Sequence, residues 1–246
     1  MSELAGRVAI VTGAAGPMGL AAAHALAAAG CRVAMVDLAE ARLERATSEV
    51  ADSVAFAADL TSIASISALV GRIESRLGGV SILLNNAGVL SNTKSQATDE
   101  SEWRRVLAIN LDAAFFLARA VVPAMKRLHW GRIINTTSLA AKTGGLTAGT
   151  AYAVSKGALS AMTFSLAREL AADGVTVNGI APAYVRTPMI TEGLTEVQRK
   201  ALLAMIPVGR FCEPEEFAHV VRFLASPLSG FITGEIIDIN GGLLMD

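Results

Sequence analysis

Residues 8–30 read VAIVTGAAGPMGLAAAHALAAAG. β-Branched residues run up to Thr12, glycines follow at 13, 16 and 19, and an alanine-rich segment opens directly behind them. Strand, glycine turn and helix in that order bring backbone N–H groups close to a pyrophosphate, and the helix N-terminus adds partial positive charge. The next β-rich run, RVAMVD, ends in Asp37. A carboxylate at that place accepts hydrogen bonds from adenosine ribose hydroxyls and repels a 2′-phosphate. No basic residue lies at 14–18, and Leu38 follows the aspartate. These residues therefore point to NAD(H) rather than NADP(H) as cofactor.

Outward from that unit, short β-rich runs alternate with longer helical patterns. Strands are expected at 7–11, 32–36, 54–57, 81–84, 132–136, 176–180 and 236–239, and helices near 18–29, 40–51, 62–77, 99–128, 151–172 and 213–225. Such alternation implies a parallel sheet covered on both faces with right-handed crossovers. The expected fold class is α/β: a single-domain, doubly wound Rossmann fold over residues 1–246 with about seven strands. One segment breaks the rhythm. Residues 183–212 carry Pro188 and Pro207 around a short helical pattern at 195–205, and a connection that long reads as a substrate lid.

Composition narrows the classes. Apolar residues make up 52% of the 246 and charged residues 17%, enough for a large core and against disorder. Net charge is −1, and no basic face suggests nucleic acid. Cys31 and Cys212 form no CxxC and read as free thiols in a reducing cytoplasm. His24, His129 and His219 are scattered, so no catalytic metal is expected. The start, MSELAGRVAIVTG, lacks signal-peptide features, and no uncharged apolar run reaches the ~20 residues needed to span a bilayer. A soluble cytoplasmic protein is expected, with neither nucleic acid nor membrane as partner.

Further along, AYAVSKGALSAMTFSLARELA (151–171) places Tyr152 and Lys156 four residues apart, on one face of a helix. A free tyrosine has a pKa of about 10. A nearby lysine cation favours the phenolate and is expected to draw that value down, which suits proton transfer near neutral pH.

With these motifs stand Asp59-Leu60, Asn85-Asn86-Ala87-Gly88, Asn110, Ser138, Ile180-Ala181-Pro182-Ala183, Thr187, Thr233-Gly234 and Asn240-Gly241-Gly242. Together, and over essentially its full length, the chain resembles the short-chain dehydrogenase/reductase family, and its ending resembles the 3-oxoacyl-(acyl carrier protein) reductase branch. The resemblance implies reversible hydride transfer between NAD(H) and a secondary alcohol or ketone. It implies Tyr152 as general acid or base, Lys156 lowering its pKa and binding the nicotinamide ribose, and Ser138 on the substrate oxygen. Asn110 would hold a water linking Lys156 to solvent. Asp59 and Leu60 would contact adenine, and Asn86, Ala87 and Gly88 would line the cofactor. Thr187 would touch the carboxamide or a phosphate. Gly13, Gly16, Pro17, Met18, Gly19, Asp37, Leu38, Pro182 and Val185 complete the implied cofactor contacts.

Three departures stand out. Pro17 replaces the family's glycine in the turn, so one possible phosphate donor is lost. Ala183 follows Pro182 where glycine is usual, and Ser138 to Tyr152 is one residue longer than the common spacing. The loop between them, LAAKTGGLTAGTA, is expected to shape specificity.

Candidate pocket residues are Leu90, Leu139, Ala140, Leu146, Ala183, Tyr184, Met189 and the lid at 190–206. Most are apolar, although Lys94, Lys142 and Arg186 could reach a substrate carboxylate if they are not solvated surface charges. A polyol, sugar derivative, hydroxy acid or vicinal diol is the expected substrate. The alternative is an NADPH-dependent 3-oxoacyl-(acyl carrier protein) reductase, for which Arg104, Arg105, Lys126, Arg127 and Arg168 offer part of a docking patch. A catalytically silent NAD-binding protein is a third reading, opposed by the four retained catalytic residues. Apolar faces at 99–128 and 151–172 suggest subunit packing, and the resemblance suggests a homotetramer. The end GGLLMD is expected to pack on a neighbouring subunit.

Overall fold

The computed structural model describes residues 3–188, 192 and 195–245. Its strands are β1 (Val8–Thr12), β2 (Arg32–Asp37), β3 (Ser53–Ala57), β4 (Ile82–Asn85), β5 (Gly131–Thr136), β6 (Val175–Pro182) and β7 (Ile236–Ile239). The helices are α1 (Pro17–Ala28), α2 (Glu40–Glu49), α3 (Ile63–Leu77), α4 (Glu100–Leu107), α5 (Ala113–Leu128), α6 (Ala140–Thr143), α7 (Thr150–Leu170), α8 (Glu196–Met205) and α9 (Pro214–Ala225). All seven strands run parallel in the order β3-β2-β1-β4-β5-β6-β7. The expected α/β doubly wound fold is therefore observed.

Val11 of β1 pairs with Met35 on one side and Leu84 on the other. The strand order reverses direction there, which opens a crevice at the carboxyl ends of β1 and β4. Successive residues of β1 feed opposite cores. Ala9 and Val11 pack with Leu26 of α1 and Phe217 of α9, while Val8 and Ile10 pack with Ile73 of α3, Leu117 of α5 and Leu170 of α7. Strands buried on both faces explain the near-continuous apolar runs of the sequence.

Two differences from the sequence reading matter. Residues 99–128 do not form one regular helix, because a π-turn, Ala108–Asp112, joins α4 to α5. Its cause is Asn110, whose buried side chain bonds to Val89 and Ser155 and draws the backbone inward. The second is α6, a single turn inside what reads as loop. Among the described residues, the rod Glu100–Leu128 is long and apolar enough to cross a membrane by length and composition. Its Leu117, Ala118, Val121 and Met125 pack on the sheet, which accounts for much of that apolar character.

A buried polar chain crosses the centre. Asn85 of β4 donates to Asn135 of β5 at 2.9 Å, and Asn135 donates to Thr163 of α7 at 2.9 Å. Asn135 is fully buried, so its removal takes one hydrogen bond from each of two buried side chains, leaving Asn85 with Ala114 O and Thr163 with Leu159 O. Asn135→Ala is expected to destabilise the fold by roughly 2–3 kcal/mol, read as a lower urea midpoint with unchanged slope. An unchanged midpoint would show the chain to be dispensable.

Candidate active site

The crevice begins at a turn in which side chains are sterically excluded. A Cβ at Gly19 would lie 2.2 Å from the Gly13 carbonyl oxygen, and one at Gly13 would lie 3.0 Å from the Ala87 Cα. Gly13 has φ +64°, a left-handed conformation suited to glycine. Gly16 caps α1 and donates its N–H to Gly13 O at 3.1 Å. Pro17 occupies the first helical position, where no intrahelical N–H is needed. Leu20 N–H bonds to Gly16 O, so the first turn offers the N–H groups of Met18 and Gly19. A shallow glycine cradle with outward amides fits a pyrophosphate.

Thr12 locks this turn to the next strand. Its hydroxyl donates to Leu84 O at 3.2 Å and accepts from Asn86 N and Ala87 N at 2.9 and 3.0 Å. Asn86 returns its side-chain amide to Thr12 O and Gly13 O. Asp37 ends β2 facing the same turn. Its carboxylate accepts from Ala15 N at 3.0 Å and Ala39 N at 3.3 Å, so it is fixed beside the glycine turn while also supporting the start of α2. Leu38 is 70% exposed beside it. Asp59 accepts from both the N–H and the hydroxyl of Thr61 through Oδ1, which holds its carboxyl below the usual range. Leu60 is half-buried against the α3 side of the core.

The second half of the site lies at the ends of β4, β5 and β6. Gly88 touches both partners of the next layer: a Cβ there would lie 3.2 Å from Asn110 Oδ1 and 3.5 Å from Lys156 Nζ. Asn110 Oδ1 accepts from Val89 N at 2.8 Å, and its amide donates to Val89 O and Ser155 Oγ, each at 3.0 Å. Ser155 in turn donates to Tyr152 O at 2.7 Å. Sequence reasoning missed Ser155, Thr12 and the Thr136 carbonyl as site-building groups. Ser155 stood inside the Tyr152–Lys156 motif, but nothing in one sequence tells which serine spans two elements.

Tyr152, Ser138 and Lys156 converge. Ser138 is buried after β5, hydrogen-bonds the Tyr152 phenol, and accepts from Ala140 N at 3.1 Å. The expectation that Lys156 draws the Tyr152 pKa down is not met. Burial raises the phenol above its ordinary value, and the Ser138 hydrogen bond opposes that rise. The reason is geometric: Lys156 Nζ donates to Thr136 O at 2.7 Å and lies 5.8 Å from the tyrosine ring centre. Lys156 is itself 4% exposed, and burial pulls it down to about 8.

The remaining pocket candidates are more dispersed. Ala140 is buried at the start of α6, whereas Leu146 is 56% exposed. Ala183 and Tyr184 are half-buried beyond β6, and Pro182 and Val185 are buried beside them. Tyr184 packs with Leu202, Ile206 and Phe211 at the base of α8. Leu243 joins that cluster, so the carboxy-terminal stretch packs on the chain's own α8. Thr187 follows on the same rim, half-buried, and Met189 lies outside the described residues. Each candidate carboxylate-binding cation has a partner: Lys94 donates to Ala148 O at 2.7 Å, Lys142 pairs with Asp238 at 2.5 Å, and Arg186 pairs with Glu213 at 2.8 Å. Two cavities flank the site. One of about 260 Å³ lies by Trp103 and Thr150, and one of about 510 Å³ by Lys142 and Phe164. Neither is lined by Tyr152 or Ser138. Among the described residues no cluster of His, Cys, Asp or Glu could hold a metal ion.

Known proteins share this architecture. A family model described as enoyl-(acyl carrier protein) reductase matches residues 13–244. The chain is 40% identical to the 3-oxoacyl-(acyl-carrier-protein) reductase of Vibrio cholerae serotype O1, over 99% of each chain. A Beutenbergia cavernae structure, provisionally named an NAD(P)-dependent gluconate 5-dehydrogenase and holding NADP at low occupancy, superposes with a TM-score of 0.90 at 33% identity, covering 98% of each chain. A short-chain dehydrogenase/reductase of the glucose/ribitol dehydrogenase type from Brucella melitensis gives 0.92 at 32% identity over 99% of each.

The buried lysine has a stability signature. Its folded pKa lies below the ordinary lysine value of 10.5, so the unfolded chain holds the extra proton between about 8 and 10.5, and stability rises with pH across that window. Below about 8 both states are charged and the destabilisation is complete. Lys156→Met is therefore expected to stabilise the protein near neutral pH, by roughly 2 kcal/mol after allowing for the lost bond to Thr136. That gain should shrink as pH climbs through the window. Urea unfolding at a series of pH values checks this, and a pH-independent difference contradicts it.

Proposed function

The chain belongs to the short-chain dehydrogenase/reductase family, and on that premise we propose that it reduces a ketone to a secondary alcohol, reversibly, with a 3-oxoacyl thioester as substrate and NADH as the favoured cofactor. The observation that carries the chemistry is the convergence of the Ser138 and Tyr152 hydroxyls beside buried Lys156 at the carboxyl ends of the strands. Two hydroxyls meeting at one point suit a single carbonyl oxygen on which negative charge builds. The likeness to a 3-oxoacyl-(acyl-carrier-protein) reductase over nearly the whole chain supports the thioester class. That class was the alternative reading of the sequence, and the relatives favour it over a polyol or hydroxy acid.

A bound nicotinamide dinucleotide supplies the hydride. The chain's own residues do the rest. Met18 and Gly19 offer amides to the pyrophosphate, Asp37 takes the ribose hydroxyls, and Asp59 and Leu60 border the adenine. Asn86, Ala87, Gly88, Pro182, Val185 and Thr187 border the remainder of the cofactor. Ser138 donates a hydrogen bond to the substrate oxygen. Tyr152 gives that oxygen a proton in reduction and takes it back in oxidation. Lys156 holds the nicotinamide ribose and stabilises the phenolate when its ammonium turns from Thr136 toward the tyrosine. The Asn110 side chain spends both amide hydrogens and one lone pair on Val89 and Ser155, which leaves the second Oδ1 lone pair and the main-chain carbonyls of the π-turn to hold the proton-relay water. The segment 183–212, of which residues 189–191 and 193–194 lie outside the described residues, is proposed as the substrate lid of a single domain spanning 1–246. A soluble, cytoplasmic homotetramer is the proposed form, with the half-exposed Trp103, Phe115 and Phe164 as contact residues.

A dehydrogenase of polyols or sugar acids remains the second reading. Fixed Asp37 supports NAD(H), and the carrier-docking patch is partly neutralised. Arg104 pairs with Glu100, Arg105 with Glu102 and Lys126 with Asp173. Arg127 and Arg168 form no ion pair among the described residues.

The test is an absorbance assay with NADH or NADPH against acetoacetyl-coenzyme A, and in reverse with NAD⁺ or NADP⁺ against gluconate and ribitol. Thioester reduction favouring NADH is expected, and turnover only of the polyols would transfer the assignment to the second reading. Tyr152→Phe is expected to lower kcat by ~10²–10⁴ while leaving cofactor binding intact. Asp37→Ala is expected to shift the kcat/KM ratio toward NADPH about tenfold, equivalent to roughly 1.4 kcal/mol. An unchanged ratio would reduce Asp37 to its structural bonds with Ala15 and Ala39.

A further inference from the structure

We propose that the Lys142–Asp238 ion pair is a positioning device for Ser138, tying the single turn that follows the serine to the last strand of the sheet. This rests on the reading of Ser138 as the residue that holds the substrate oxygen.

The argument begins with length. α6 has four residues, too few to hold a helical turn by its own hydrogen bonds. It exits through Gly144 and Gly145, both with positive φ, so the chain behind it adds little stiffness. Yet Ser138 is bound to this turn: Ala140 N donates to its hydroxyl at 3.1 Å and Ala141 N to its carbonyl at 3.0 Å. Two contacts anchor the turn to neighbouring strands. Leu139 N donates to Pro182 O of β6 at 3.0 Å, and Lys142 Nζ meets Asp238 Oδ2 of β7 at 2.5 Å. Asp238 pairs in register with Ala181, the residue before Pro182, so both anchors hold adjacent points of the sheet.

The ion pair is more than a solvated surface contact. Its side chains are 28% and 18% exposed, and Asp238 Oδ1 is buried without a hydrogen-bond partner. Lys142 therefore compensates a carboxylate that is largely out of water, and losing the lysine leaves that carboxylate buried without its compensating charge. A serine hydroxyl moved by about 1 Å can lose up to ~100-fold in rate.

The test is a mutant cycle on the full-length enzyme with its best substrate. Lys142→Met and Asp238→Asn are each expected to lower kcat about tenfold with cofactor Kd unchanged, and Lys142→Arg to restore most of it. In a Ser138→Ala background, Lys142→Met should cost nothing further. A readout without substrate is available because Tyr152 and Tyr184 are the only tyrosines. In Tyr184→Phe, tyrosinate absorbance reports Tyr152 alone, and Lys142→Met should move its titration upward as Ser138→Ala does, with no added shift in the double variant. The proposal is overturned if Lys142→Met and Asp238→Asn keep wild-type kcat and titration. Equal loss in the Ser138→Ala background overturns it too, because the pair would then act on stability at large. If Ser138→Ala itself costs nothing, the reading of the serine has failed, and the tether falls with it.

Discussion

The hydroxyl of Thr12 joins the two strands between which the chain reverses its direction of growth. One donated and two accepted hydrogen bonds tie the end of β1 to the first residues after β4. Asn86 completes the joint by bonding back to Thr12 and Gly13. The glycine turn and the Asn86-Ala87-Gly88 turn are therefore parts of one unit. Gly13 has no room for a side chain because the Ala87 backbone is there, and a side chain at Gly88 would crowd Asn110 and come into contact with Lys156. The cofactor half of the crevice and its catalytic half meet at that pair of contacts.

The catalytic half keeps an unfavourable arrangement. Lys156 is almost wholly buried with a main-chain carbonyl as its fixed partner, and Tyr152 is held above its ordinary pKa by the same lack of water. Neither group would choose that environment alone. Packing elsewhere imposes it: α7 is sewn to the π-turn through Ser155 and Asn110, and to the sheet through Thr163 and Asn135. Strained or desolvated groups persist where the surrounding structure over-determines them. Under the proposed mechanism, a small turn of the ammonium from Thr136 toward the phenol is enough to change the proton affinity of both.

Much of this was legible in the sequence. Every strand fell within a residue or two of its expected place, because buried parallel strands leave long apolar runs and the glycine turn marks the first of them. Gly13 and Asp37 could be picked out by their places at strand ends, Tyr152 and Lys156 by their four-residue spacing, and Ser138 through the resemblance to the family. What depended on partners far along the chain could not be read. The π-turn needs Val89 and Ser155 opposite Asn110. Lys94, Lys142 and Arg186, which by sequence could reach a substrate carboxylate or simply lie in solvent, are instead engaged by Ala148, Asp238 and Glu213. Likewise, the upward displacement of the Tyr152 pKa follows from burial, which spacing on a helix does not report.

The three-way convergence of Ser138, Tyr152 and Lys156 is the central claim, and a crystal structure with bound NADH and a 3-oxoacyl thioester tests it most directly. The expected result is a keto oxygen within hydrogen-bond distance of both hydroxyls, with Lys156 Nζ at the nicotinamide ribose and the Asp37 carboxylate at the adenosine ribose. A keto oxygen seated away from both hydroxyls, or a cofactor whose ribose does not reach Asp37, would contradict it.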